Sequence, residues 1–411
     1  MRDFLPAEKA HRERILGIIR ESYRAHGFDE IETPIVEDSD RLHAGLGGDN
    51  EKLAYAVLKR GLTAADLRAA TDPIELADLG LRYDLTVPLA RFYASHRAEL
   101  PTVFRAIQIA PVWRAERPQK GRYRQFVQCD IDVIGESGPY AEIELITATA
   151  ATLASLGIAD ATIRVNDRRI LHALLAFLDV PAESFDRALI VIDKEDKIGV
   201  AGVVAELGEL GLGHPARTAL TLDALGTLDR DGWALLDAPP AWLNRDAYAD
   251  LLAICEAVGS RARLVFSPNL VRGMGYYTGP IFEVAHPTLG YSLGGGGRYD
   301  GMIGRFLGTG VPAAGFSLGF ERLVDLVELP AEERADATAL VYDGTVAPAT
   351  LLALQAALIA SGRRVRLERK PRNMAPLLAQ LGASGFSEYA LVTEDSEIAL
   401  AADSLEFRPI T

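Results

Sequence analysis

The densest set of side chains that could do chemistry lies between Pro111 and Asp132, reading PVWRAERPQKGRYRQFVQCDID. Arg114, Arg117, Lys120, Arg122 and Arg124 place five positive charges within eleven residues. Guanidinium forks pair bidentately with phosphate oxygens, so such a cluster suits a polyphosphate or the end of an RNA. An exposed charged hairpin would carry the same residues. The segment reads as strand, turn, strand, with Pro118 and Gly121 in the turn. Side chains alternate across a strand. Arg122, Arg124, Phe126, Gln128, Asp130 and Asp132 therefore share one face, while Tyr123, Val127, Cys129, Ile131 and Val133 share the other, interrupted only by Gln125. The second face reads as core; the first is a row of charges and amides with a single aromatic, which a purely solvated face would not normally include.

Four further segments have chemically pointed spacing. Leu81–Leu89 reads as a strand with Arg82, Asp84 and Thr86 on one face and Tyr83, Leu85, Val87 and Leu89 on the other. A carboxylate beside a hydroxyl suits an ammonium group, although a surface Asp–Arg pair would look the same. In Leu270–Glu283, Arg272 precedes two glycines and the adjacent Tyr276 and Tyr277; on a strand, only one of these tyrosines can line a given pocket. Gly294–Gly297, followed by Arg298, Tyr299 and Asp300, reads as a turn that hugs a ligand or as a flexible loop. Gly315–Arg322 runs from a strand through Gly319 into a helix with Arg322 in its first turn. A cation there is ill matched to the helix dipole, which points to an anionic ligand nearby.

The elements that must position these groups follow from periodicity. Residues 7–26 read as a helix with Ile15, Ile18, Ile19 and Tyr23 on one stripe, ended by Gly27, and a strand Phe28–Val36 is bent by Pro34. A loop with a helix near 63–70 follows, then strands at 81–89, 107–116 and 122–134 and a helix at 141–156. Residues 168–258 turn rich in Ala, Leu, Asp and Glu and read as a helical insertion. Strand-like sequence resumes at 264–284 and 291–298, and a helix at 319–327 closes a core spanning 1–328. After a polar linker, 337–411 alternates strand, helix, strand, helix, strand: a small α/β domain with a largely parallel sheet.

Length and charge narrow the functional classes. At 411 residues the chain can form more than one domain. A formal charge of −14 excludes nucleic-acid binding by bulk electrostatics, so any such role rests on a local patch. Cys129 and Cys255 lie far apart, which argues against a disulfide framework and against a zinc site, and no metal ligands are assigned. No P-loop, GxSxG elbow or HExxH is read in the chain. The first residues run into a charged helix without a signal-like apolar core, and no apolar run is long enough to span a membrane, so the expected location is cytoplasmic.

Taken in order, these segments resemble the class II aminoacyl-tRNA synthetases and, within them, the histidyl-tRNA synthetase family. Trp113–Phe126 is similar to motif 2, Gly315–Arg322 to motif 3, Phe28–Val36 to motif 1, and 270–283 with 295–300 to the histidine-specific segments. The resemblance covers residues 3–325. It implies an α+β core, an antiparallel sheet flanked by helices, carrying the helical insertion and the C-terminal α/β domain. That last domain is short and only faintly like the family's anticodon-binding domain. The implied substrates are L-histidine, ATP with Mg²⁺ and histidine tRNA, and the implied assembly is a homodimer.

Residue by residue, the resemblance implies that Arg114, Glu116, Arg122, Arg124, Phe126 and Arg322 bind ATP. Arg114, Arg272 and Arg322 would be catalytic. Asp84, Thr86, Gln128, Asp132, Arg272, Tyr276 and Tyr277 would bind histidine, and Gln119 and Lys120 would meet the tRNA acceptor end. Gly275 stands where the family usually has aspartate. Two other readings remain open at this point. One is a histidine-sensing regulatory subunit of ATP phosphoribosyltransferase, which generally lacks the arginines matched by Arg114 and Arg322. The other is a paralogue that adenylates histidine for a different acceptor.

Overall fold

The computed structural model describes residues 1–46, 53–117, 123–228, 233–272, 275–329, 337–393 and 405–410. The chain forms two compact units, one of Met1–Asp3 with Arg12–Val327 and one of Phe4–His11 with Glu328–Thr411. In chain order the elements up to the hairpin are α1 (Pro6–Ala25), β1 (Asp29–Glu30), β2 (Val36–Asp38), α2 (Ser39–Leu46), β3 (Tyr55–Leu58), α3 (Ala64–Ala69), β4 (Ala77–Leu81), α4 (Thr86–His96), β5 (Phe104–Trp113) and β6 (Gln125–Ile134). Then come α5 (Tyr140–Ser155), β7 (Thr162–Asp167), α6 (Arg168–Phe177), α7 (Phe185–Ile192), α8 (Glu195–Glu209), α9 (Pro215–Gly226), α10 (Arg245–Val258) and β8 (Leu264–Phe266). The first unit closes with β9 (Pro280–Ala285), β10 (Gly294–Arg298), α11 (Asp300–Leu307), β11 (Ala313–Gly319) and α12 (Phe320–Leu326).

Its centre is an eight-stranded sheet in the order β1-β5-β6-β11-β10-β9-β7-β8, antiparallel throughout its interior, with β1 and β8 joining parallel to their neighbours. The sheet is flanked by helices, as expected for this α+β class. On α1, Ile15, Leu16, Ile19 and Tyr23 are buried at three- and four-residue spacing, the stripe by which an amphipathic helix packs on a core. The β5–β6 hairpin pairs Trp113 with Gln125 and Phe104 with Ile134. Along β6, Cys129, Ile131 and Val133 are fully buried on one face, and the polar Gln128, Asp130 and Asp132 are also buried on the other. The alternation read from sequence is present, and both of its faces are covered.

Residues 168–258 hold α6–α10, whose apolar residues share a core around Leu171, Leu174, Leu189, Leu222 and Tyr248. In the second unit, β12 (Ala337–Tyr342), α13 (Pro348–Ala360), β13 (Arg364–Arg369), α14 (Met374–Ala383), β14 (Glu388–Val392) and β15 (Phe407–Pro409) form a sheet ordered β13-β12-β14-β15. Its first three strands are parallel. Leu340 packs with Leu354 and Leu358 of α13, while Ala339 and Val341 pack with Leu381 of α14, so both faces of β12 are covered by helix. The antiparallel edge strand β15 was not read from the sequence. The polar linker at 330–336 lies outside the described residues.

Four local readings need correction. The expected strand 28–36 is two short pieces on either side of Pro34: β1 pairs with β5, and β2 pairs with β4 in a separate sheet ordered β2-β4-β3. The expected strand 81–89 ends at Leu81, and a helix begins at Thr86. Asp84 accepts the Val87 N–H at 3.2 Å and so caps that first turn, where Pro88 is tolerated because helix-start N–H groups need no intrahelical acceptor. Arg82, Tyr83, Asp84 and Leu85 are all buried, so no exposed face alternates there. Residues 264–284 are two strands separated by a loop, and β7 was missed.

The fourth correction concerns Gly294–Gly297, which has two readings: the strand-like stretch 291–298 holds, these glycines being most of β10 in the interior of the sheet, while the turn or flexible loop does not. A Cβ built on Gly294 would lie 2.5 Å from the Ser317 carbonyl oxygen, and one on Gly297 would lie 2.5 Å from that of Pro280. One on Gly296 would fall on the Gly315 carbonyl. Glycine is required because the flanking backbones come so close.

Candidate active site

A cavity of about 340 Å³ opens on the polar face of β6, β10 and β11, within the usual size range of small-ligand sites. Its floor is carboxylate-rich. Asp84 comes from the start of α4, and Asp130 and Asp132 from β6; each is no more than 4% exposed. One oxygen of Asp84 caps α4, while the other, Oδ2, is buried without a hydrogen-bond partner. Gln128 Nε2 donates to Ser317 Oγ at 3.0 Å, and its carbonyl oxygen is likewise buried without a partner. Asp132 accepts a hydrogen bond from the Tyr299 hydroxyl and faces Gly315 across the β6–β11 ladder.

Burial raises the Asp84 carboxyl above its ordinary range and pushes Asp132 up to about 7. Asp130 is pushed well above its ordinary value, first by burial and then by the neighbouring charge of Asp132. Desolvation disfavours the charged form, and a like charge close by adds to the effect.

Three arginines converge from different elements. The Arg114 guanidinium follows β5 and lies 4.4 Å from the Tyr83 ring centroid and 5.0 Å from that of Phe126. Arg272 pairs with Glu283 at 3.1 Å, and its guanidinium occupies the space above Gly295, where a Cβ would lie 2.5 Å from Cζ. Arg322, in the first turn of α12, lies 5.0 Å from the Tyr291 ring centroid and donates to the Ser292 carbonyl. Glu321 beside it is tied to Arg12 of α1 and accepts the Val127 N–H at 3.3 Å.

Most of the predicted residues are therefore brought together. Asp84, Thr86, Gln128 and Asp132 line the cavity with Arg272, Tyr276 and Tyr277, and Arg114, Glu116, Phe126 and Arg322 complete the wall. Arg124 does not line it: β6 begins at Gln125, so strand parity does not extend to Arg124, whose Nε donates to the Glu116 carbonyl at 3.2 Å. For the same reason Tyr123, expected in the core, lines the cavity instead. Gln119, Lys120 and Arg122 lie outside the described residues, as do Pro118 and Gly121. Both Tyr276 and Tyr277 reach the cavity, with ring centroids 4.8 Å apart, because they precede β9 and strand alternation does not apply to them.

Sequence reasoning passed over Tyr299, Ser317 and Glu321, and it placed Asp130 on the correct face without giving it a task. Reading Gly294–Gly297 as a loop hid Tyr299, and the cross-strand register that seats Ser317 opposite Asp130 cannot be read from one chain segment. Gly315-Phe-Ser-Leu-Gly319 also spells GxSxG, a match the sequence reading overlooked. Ser317 lies in mid-strand, not on a strand-to-helix turn, and no histidine among the described residues lines the cavity, so the pattern is no nucleophile elbow.

An antiparallel sheet whose hairpin and helix start aim arginines across a ligand cavity defines the core of a class II aminoacyl-tRNA synthetase. The family model described as histidyl-tRNA synthetase matches residues 1–323. The histidine–tRNA ligase of Leifsonia xyli subsp. xyli is 58% identical, covering 100% of this chain and 97% of its own length. That of Aeropyrum pernix is 39% identical over 79% of this chain and 72% of its own. Among solved structures, histidyl-tRNA synthetase from Nostoc sp. PCC 7120 aligns with a TM-score of 0.75 and 25% identity, covering 99% of this chain and 95% of that one. An ATP phosphoribosyltransferase regulatory subunit/histidyl-tRNA synthetase from Bacillus halodurans has the same fold, with a TM-score of 0.75 at 23% identity over 96% and 97% of the two chains. The chain belongs to the histidyl-tRNA synthetase family.

Proposed function

We infer that the protein activates L-histidine with ATP and transfers the histidyl group to the 3′ end of histidine tRNA. The observation that carries this reading is the pair of buried acceptors without partners, Asp84 Oδ2 and Gln128 Oε1, on the lining of one cavity. Buried polar atoms are rarely left unsatisfied, and an α-ammonium is a donor that would serve both. The other end of the cavity, with Asp132, Tyr299 and Tyr277, offers polar partners to an imidazole. An analogue without the ring nitrogens would leave those groups unpaired, a penalty worth roughly 10⁴-fold in favourable cases.

In the first step a carboxylate oxygen of histidine attacks the α-phosphorus of ATP, the bond to the bridging oxygen breaks, and pyrophosphate leaves. The carboxylate is already ionised, so no general base is needed. The protein's part is alignment and charge neutralisation. Arg114 and Arg322 would take the phosphates, with ATP entering as its magnesium complex. Both guanidiniums rest over aromatic rings and also donate to backbone carbonyls, Arg114 to Tyr83 at 3.2 Å and Arg322 to Ser292. Phe126 would stack on adenine, Glu116 would meet its amino edge, and Arg272 would sit by the reacting carboxylate. In the second step the terminal ribose hydroxyl attacks the carbonyl carbon and AMP departs.

Gln119 and Lys120 are proposed to meet the acceptor end of the tRNA. The homodimer is proposed to bury the apolar side chains exposed around the β2-β4-β3 sheet, among them Ile35, Val36, Leu58 and Leu79. Sedimentation of the purified chain tests that assembly. No helix among the described residues is long and apolar enough to cross a membrane, and the cytoplasm is the proposed location.

The deciding experiment is exchange of labelled pyrophosphate into ATP, with histidine and with the other amino acids as controls. Exchange with histidine alone is expected. Arg114→Ala and Arg322→Ala should each abolish it while leaving the thermal melt in place; near-parental exchange in either variant removes that arginine from the mechanism. Histidine binding without any exchange would instead favour the histidine-sensor reading.

A further inference from the structure

Among the cavity's carboxylates, Asp130 is the one that nothing above employs. It lies in mid-β6, 4% exposed, between Gln108 of β5 and Ser317 of β11, its cross-strand neighbours. Gln108 is occupied elsewhere: its Nε2 donates to the Leu85 carbonyl and its Oε1 accepts from Thr33. Ser317 does face Asp130, and the two side chains are hydrogen-bonded. Gln128, two residues along the same face of β6, donates from Nε2 to Ser317 Oγ at 3.0 Å and approaches the two Asp130 oxygens at 3.4 and 3.5 Å.

The chemistry of the three groups gives this chain a direction. Burial by itself favours a protonated Asp130, but an α-ammonium bound beside it favours the charged form, which only accepts, so the Ser317 hydroxyl spends its single proton on Asp130. The hydroxyl then has only lone pairs to offer Gln128, which must answer with its NH₂ rather than its carbonyl. The amide is thereby locked with Oε1 turned away from Ser317, and that oxygen is the buried acceptor without a partner on the cavity lining. Without Asp130 the hydroxyl could donate to Gln128 instead, and the amide could rotate to present NH₂ to a cationic ligand.

We propose that Asp130 is a positioning residue of the amino-acid site: acting through Ser317, it holds the Gln128 amide with its carbonyl oxygen aimed at the α-ammonium of the bound substrate. This rests on the reading of the cavity as a histidine site. Asp130 touches no reacting atom; it sets which face of a neighbouring amide the ligand meets. The Asp130→Asn side chain has the same shape but can donate to Ser317, reversing the chain.

The test compares the full-length parent, Asp130→Asn and Ser317→Ala by calorimetry with two ligands, L-histidine and imidazole propionate, which lacks only the amino group. Histidine KM and ATP KM are read in pyrophosphate exchange. Hydrogen bonds to a charged group are worth about 1.5–3 kcal/mol, so histidine affinity should fall about tenfold to a hundredfold in both variants. Imidazole propionate affinity and ATP KM should stay within about twofold of the parent, a selectivity that a general loosening of the pocket would not produce. Histidine affinity unchanged in Asp130→Asn, or equal losses for both ligands, would overturn the proposal while leaving the parent's histidine-dependent exchange intact. A parent that neither binds histidine nor exchanges would overturn this proposal and the histidine reading together.

Discussion

Asp132 shows how far a single side chain can be followed. Its carboxyl titrates near 7 in the fold, far above an unstructured aspartate, because burial disfavours the charge. The folded state therefore holds this proton more tightly than the unfolded state. The resulting stability is complete below about pH 4 and is lost as pH rises through about 7, a cost of ~4 kcal/mol at most. Without histidine, Asp132→Asn should gain stability over the parent progressively from pH 5 to pH 8 in chemical denaturation; a pH-independent difference would contradict this. Gly315 faces the same carboxylate, and a methyl group there would fall on the Asp132 oxygen. Gly315→Ala is expected to raise histidine KM in exchange by about a hundredfold, the scale of a misplaced reacting group. At this scale the sequence was largely legible, since two-residue periodicity alone put Phe126, Gln128 and Asp132 on one face. It failed where periodicity stops, at Tyr123, Arg124, Tyr276 and Tyr277.

Whole elements were readable in proportion to their length and regularity. The helices between 168 and 258 bury their apolar residues in one shared core, with α8 kinked at Gly199, and the helical character of this stretch was readable from its composition. Residues 82–86 were misread because burial on both sides of a turn imitates a strand, while the capping contact from Asp84 to Val87 is a local signal that alternation overrides. The strand β7 was missed, yet it does specific work. Its Asn166 is fully buried and donates to the carbonyls of Pro268 and Leu270 at 3.0 and 3.1 Å, holding the loop that leads to Arg272. Asn166→Ala would strand two carbonyls, at about 1–3 kcal/mol each. The variant should melt several degrees lower and exchange more slowly, whereas an unchanged melt would mean that the loop is held by other contacts.

For the molecule as a whole, a charge of −14 and a polyanionic substrate must be reconciled locally. The basic run in the second unit is Arg363, Arg364, Arg366, Arg369, Lys370 and Arg372. Its first members are engaged within the unit: Arg363 pairs with Glu388 and lies over Phe407, and Arg364 and Arg366 lie over Phe386. Arg369, Lys370 and Arg372 are exposed at the end of β13, an edge strand of its sheet. If this edge meets tRNA, the double variant Arg369→Glu/Arg372→Glu should raise the KM for tRNA at least several-fold, and more steeply at low salt, with pyrophosphate exchange unaltered. Unchanged charging kinetics would place the tRNA contact elsewhere. The order β-α-β-α-β was legible here because parallel strands need long crossovers, whereas β15 is three residues long and carries no pattern.

The glycine strand β10 has a bearing on pharmacology. Gly294, Gly295 and Gly296 border the cavity with backbone alone, and a side chain at any of them would strike a neighbouring strand or the Arg272 guanidinium. An inhibitor that made its contacts with that backbone would confront the organism with positions where a resistance substitution also damages the fold or the site.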